Sequence, residues 1–134
     1  MGKPNNGKRQ VRNPNPFSTP ASIERYALKM FRDIAFGSVD MSEVQVLFRD
    51  PGFVSNALKA AYEKLQAVSV HVEAIEKARP YITNPKLMEV YNDDARKLEC
   101  YGLIYRTISQ IQMTGDVGFL LALANKLPNY KYNM

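Results

Sequence analysis

Between Pro51 and Arg79 the apolar residues Val54, Leu58, Ala61, Leu65, Val68, Val72 and Ile75 alternate steps of four and three without a fault. That spacing keeps a single stripe on one side of a helix, the pattern of a helix packed lengthwise against a near-parallel or antiparallel partner. At about 1.5 Å per residue such a helix is roughly 40 Å long. In a chain of 134 residues, where one hydrophobic core is the default, the rest of the fold has to be arranged around it.

A matching partner follows directly. Pro80 breaks the first helix, and Asn84-Pro85 opens a second with the cap-and-proline device already present at Asp50-Pro51. From Pro85 to about Met113, the residues Leu87, Met88, Tyr91, Ala95, Leu98, Tyr101, Ile104, Tyr105, Ile108 and Ile111 cover a wide apolar arc. Gly102, in the middle of this helix, predicts the close approach of a neighbour. The two long helices are expected to fold back on each other as a hairpin.

Three shorter helices complete the expectation. Ser18-Thr19-Pro20 supplies an N-cap and a proline in the first turn, followed by Ile23, Tyr26, Ala27, Met30, Phe31 and Ile34 on one face up to Gly37. Asp40 and Glu43 have capping-box spacing for a short helix with Val44, Leu47 and Phe48 inward. Thr114-Gly115-Asp116 turns into VGFLLALANKL, which Pro128 closes. This last segment is apolar nearly all round, so one of its sides is either enclosed by the domain or buried against another molecule. With no convincing strand pattern and no internal repeat, the fold class expected is all-α: an antiparallel helical bundle built on a long helical hairpin, with an extended basic N-terminal arm. The organisation is an arm over residues 1–16, a bundle domain over 17–128 and a tail over 129–134.

The arm, MGKPNNGKRQVRNPNP, holds three prolines, two glycines and four asparagines, with Val11 as its one apolar residue after Met1. Nothing in it can drive collapse, and proline removes backbone donors, so it is expected to be extended. Its four cations, Lys3, Lys8, Arg9 and Arg12, face no acid, whereas the rest of the chain carries 14 basic against 13 acidic residues. The net charge of +5 is therefore concentrated in the arm.

Familiar reactive arrangements are missing from the sequence. His71 is the one histidine and stands between Val70 and Val72, with no second histidine to pair with it; it is assigned no role. Cys100 is the one cysteine, which excludes an intrachain disulfide and a Cys-rich metal site and reads as a small buried residue. Asp93 and Asp94, followed by Arg96 and Lys97, read as a solvated, self-paired helix face. Phosphate loops, dinucleotide fingerprints, nucleophile elbows and histidine metal motifs are all absent. No enzymatic activity, cofactor, metal or small-molecule substrate is expected. Nor are a signal peptide, a membrane span or an N-myristoyl site, the last because Asn6 stands where Ser or Thr is required.

What remains is charge. At about 100° per residue, Arg25, Lys29 and Arg32 fall together on the side of the first helix opposite its apolar face. With Lys3, Lys8, Arg9 and Arg12 they make seven cations in the first 32 residues, against Glu24 alone. Such an array suits a phosphate backbone, where counterion release supplies the affinity and base-specific geometry is unnecessary. Zinc-finger spacing, RNA-recognition aromatic motifs and a polar recognition helix are lacking, and the tyrosines mostly stand at core spacing, so sequence-selective reading is not expected.

In the order of its parts the chain resembles the major coat proteins of archaeal rod-shaped and filamentous viruses. The likeness covers the arm MGKPNNGKRQVRNPNP, the first helix STPASIERYALKMFRDIAFG and the hairpin from Pro51 to Met113. It implies a virion protein, assembled in the host cytoplasm, that wraps double-stranded DNA into an A-form helix inside a filament, often as paired subunits. It further implies that the arm embraces DNA, that the seven cations contact phosphates, and that the last two helices join copies of the chain or a paralogous subunit. Two other readings fit the same residues: a tailed-virus virion or scaffold component whose arm binds protein, and a free nucleoid-type or regulatory DNA-binding protein acting as a dimer.

Overall fold

The computed structural model describes residues 19–134; the arm, with Lys3, Lys8, Arg9 and Arg12, lies outside the described residues. Five α-helices follow in order: α1 Pro20–Ala35, α2 Met41–Leu47, α3 Pro51–Ala78, α4 Pro85–Thr114 and α5 Phe119–Lys126. Short 3-10 turns occupy Arg79–Tyr81 and Leu127–Tyr130, and no strand occurs among the described residues.

The first four helices each begin on a side-chain cap: Thr19 accepts from the Ser22 amide, Asp40 from Ser42, Asp50 from Gly52 and Asn84 from Lys86. At three of them the next residue is proline, whose missing N–H and fixed φ suit the first helical position. The expected capping box at α2 is only half made. Asp40 takes both the amide and the hydroxyl of Ser42, at 2.9 and 2.8 Å, and no hydrogen bond returns from the Glu43 side chain. Those bonds from Ser42 hold the Asp40 carboxyl below its usual range, and a second carboxylate brought alongside would repel it.

The long helices α3 and α4 pack on each other over much of their length. Their contacts pair Ser55 with Gln112, Tyr62 with Tyr105, Leu65 with Gly102 and His71 with Asp94, so residue numbers rise along α3 as they fall along α4. The approach at Gly102 is looser than its glycine suggested. A Cβ there would stand 3.9 Å from Leu65 Cδ1, ordinary contact, and 3.3 Å from the guanidinium Nη1 of Arg106 on its own helix.

Of the stripe on α3, Val54, Ala61 and Val72 are buried, while Leu58, Leu65, Val68 and Ile75 are only half-buried. Phe53, Ala57 and Ala60 lie outside that repeat yet are buried too, because α1 packs along another side of α3. On α4 the buried set is Cys100, Tyr101, Ile104, Thr107, Ile108 and Ile111, with Gly102 between them. The core therefore sits where α1, α2 and α5 surround the first half of α3 and the last half of α4. From residue 62 to residue 99 Val72 alone is buried, and the outer halves of the two long helices are covered chiefly by each other.

Three readings of side chains change. Asp94 does not belong to a solvated face: its side chain is 14% exposed, and its Oδ2 stands 2.6 Å from Nδ1 of His71. That oxygen is buried and makes no hydrogen bond among the described residues, so the imidazole is its nearest polar neighbour. Arg96 turns instead to the chain's last residues, donating to the Asn129 carbonyl at 2.7 Å and lying over the Tyr130 ring at 4.8 Å. Of the eight tyrosines only Tyr101 is buried; Tyr26 and Tyr132 meet phenylalanine rings edge-on, and Tyr62 lies tilted against Tyr105. Cys100 is fully enclosed, and burial pushes its thiol up to about 12.

Helix α5 is shorter than its apolar run. Gly115, at φ 74, ends α4 in the left-handed region, and Asp116 accepts from the Gly118 amide, so Val117 and Gly118 form a turn before the helix. Leu120, Leu123 and Leu127 enter the core, whereas Leu121 stays half exposed.

Candidate nucleic-acid interface

Helix α1 is amphipathic in the sense its sequence required. Ala27, Met30, Phe31, Ile34 and Ala35 are buried, and Arg25, Lys29 and Arg32 are exposed on the opposite side. These three stand at i, i+4 and i+7, a row about 10 Å long along which duplex DNA presents about six phosphate charges.

The row lines a shallow hollow of about 310 Å³ together with a fourth cation, Lys64 of α3. Leu28, Tyr101 and Met134 provide the apolar floor and edge. Sequence reasoning missed Lys64. The only signal available was its place just before Leu65, on the flank of the 4-3 stripe, and that acquires meaning only once α1 is known to pack beside it.

Acids do not neutralise this hollow. Glu24, the one acid preceding Arg32, turns to Lys59 of α3 at 3.4 Å, outside the residues lining the hollow. Asp33 takes one row member, Lys29, at 2.9 Å, in a pair whose lysine side is 73% exposed. Pairs so exposed contribute about 0 to 1 kcal/mol, so Lys29 can leave Asp33 for a stronger anion. Arg25, Arg32 and Lys64 have no ion pair among the described residues. Burial, foremost, pushes the Tyr101 hydroxyl upward, while the Arg32 guanidinium nearby works in the opposite direction.

Chemically the hollow can hold an anion by charge and by the guanidinium donors of two arginines, which reach phosphate oxygens in pairs. It offers no arrangement for reading base edges. Four of the seven cations expected at the site, Lys3, Lys8, Arg9 and Arg12, lie outside the described residues; the other three are brought together.

Among the described residues no three or more His, Cys, Asp or Glu side chains are grouped to hold a metal ion, and no helix is long and apolar enough to cross a membrane. No family model, no curated protein and no solved structure matches the chain.

Proposed function

We propose that this chain is a non-catalytic structural virion protein that coats and condenses genomic double-stranded DNA through sequence-independent phosphate contacts. In this reading it self-assembles, alone or with a paralogous subunit, into a helical filament of the kind formed by the coat proteins of archaeal rod-shaped and filamentous viruses, and assembly takes place in the host cytoplasm. The arm of residues 1–16 embraces the duplex, and the antiparallel hairpin of α3 and α4 is the packing body.

The observation that carries the proposal is the exposed row Arg25, Lys29 and Arg32, which lines one hollow with Lys64, three of the four cations being without an ion pair among the described residues. Unpaired cations in a row contribute little to folding. They gain most from a polyanion, where each contact releases a condensed counterion. The row lies on the first helix after the arm, so the two cationic segments are continuous along the chain.

The test is binding of the full chain to random-sequence duplex across a salt series, beside a variant lacking residues 2–16. Steep loss of affinity with salt, filaments in electron micrographs, and weak binding by a variant of unchanged helicity are expected. Full affinity after the deletion would overturn the proposal. Absence of salt-dependent DNA binding by the full chain would favour a scaffold component that binds protein.

A further inference from the structure

A second cationic feature lies on the other side of α4, in the groove that α4 forms with α5. The groove has a volume of about 490 Å³, with Leu103, Phe119 and Leu123 at its base and Arg106 and Lys126 at its margins. Both cations are exposed, and neither has an ion pair among the described residues. The lining also includes the polar Thr107, Ser109 and Gln110, so the groove, with its apolar residues and two cations lacking an ion pair, fits a partner surface that carries an apolar side chain with acids beside it.

Such a surface exists on the same chain. Val46 of α2 is 63% exposed; Glu43, three residues before it, shares its face of the helix, and Asp50, in the turn that follows α2, lines a hollow with Val46, both acids being exposed. Neither acid has an ion pair among the described residues, although Asp50 also caps α3. Val46 and Leu47 form a ridge between two hollows, one edged by Glu43 and the other by Asp50. The nearest basic neighbour in sequence, Arg49, lines a different hollow with Phe48 and Pro51.

We propose that the α4–α5 groove of one copy receives the α2 ridge of a second copy, with Val46 on the apolar base and Glu43 and Asp50 against Arg106 and Lys126. The inference deepens the self-assembly part of the function proposed above and rests on it. Because groove and ridge are different surfaces, the contact is head-to-tail, the kind that propagates into a ring or a helical filament instead of closing as a two-fold dimer. It also gives the half-exposed side of α5 a partner, leaving the arm and the α1 row for DNA.

Two full-chain experiments test it, each run with and without random-sequence duplex. In the first, a V46C protein is mixed with an A122C protein under mild oxidation; Ala122 lines the groove, and the native Cys100 is enclosed. A V46C–A122C disulfide is expected, and cross-links confined to V46C–V46C or A122C–A122C pairs would overturn the contact. In the second, sedimentation follows R106E, E43K and the two changes combined in one chain. Each single change is expected to weaken association about tenfold, and the combination to recover most of it. No change on single reversal, or no recovery on combination, overturns the charge pairing. DNA binding without the V46C–A122C cross-link rejects this contact and spares the coating function; the cross-link without DNA binding does the reverse.

Discussion

Replacing Arg25 and Arg32 together with alanine should make DNA binding less sensitive to salt by a calculable amount. Seven cations precede residue 33, and Lys64 joins three of them at the hollow, so the proposed surface offers eight phosphate contacts per chain. At about 0.9 counterion per contact, log K should fall with log salt with a slope of about −7, losing about four decades of affinity between 50 and 200 mM. Removing two contacts should bring the slope to about −5.4. Both side chains are exposed and on the face of α1 away from its buried residues, so helicity and melting temperature should hold. Fluorescence anisotropy with a labelled duplex of arbitrary sequence, repeated at five or six salt concentrations, gives the slope directly. Weaker binding with an unchanged slope would mean that the two arginines act through the fold. Unchanged affinity and slope would refute the placement of phosphate at the α1 row.

Two substitutions test the packing independently of function. Gly102→Ala should raise stability, because the new methyl meets Leu65 at ordinary contact distance and only the mobile end of Arg106 must shift, while alanine gains up to about 1 kcal/mol over glycine inside a helix; a melting temperature that falls would show the two long helices to be closer than 3.9 Å contact implies. His71→Ala removes the half-exposed imidazole that stands 2.6 Å from Asp94 Oδ2, which should cost about 0 to 1 kcal/mol in chemical denaturation, and a cost well above that would mean that the pair is a desolvated hydrogen bond.

The helix starts could be read from the sequence because they are local. Thr19-Pro20, Asp50-Pro51 and Asn84-Pro85 each place a side-chain acceptor beside a residue with no amide hydrogen, and each caps a helix in the fold. The exposed row on α1 was legible for the same reason, since 3.6-residue periodicity fixes which residues share a side. What could not be read depends on which side of a helix a distant segment covers. Ala57 and Ala60 became core, and Lys64 came to line the cationic hollow, because α1 lies along α3. Asp94 looked like one of two adjacent surface acids until the packing of α4 on α3 set it against His71. Arg96 appeared available to Asp93 until the last turn came within its reach. In each instance the residue's own helix was correct and its partner lay more than 20 positions away.

The division of charge across the molecule gives the two proposals a common physical basis. Phosphate contact and contact between copies would compete if both used the same cations, since a polyanion at high local charge displaces carboxylates from exposed pairs. Here the two sets are carried by different elements: Arg25, Lys29, Arg32 and Lys64 on α1 and α3, and Arg106 and Lys126 on α4 and α5. Both should weaken with salt, but with different steepness, because release of condensed counterions is a property of the duplex and not of a protein carboxylate. A few exposed pairs around an apolar contact change association by only a small factor over the salt range in which DNA affinity falls by decades. Raising salt on assembled filaments should therefore strip DNA from the protein before it separates one copy from the next.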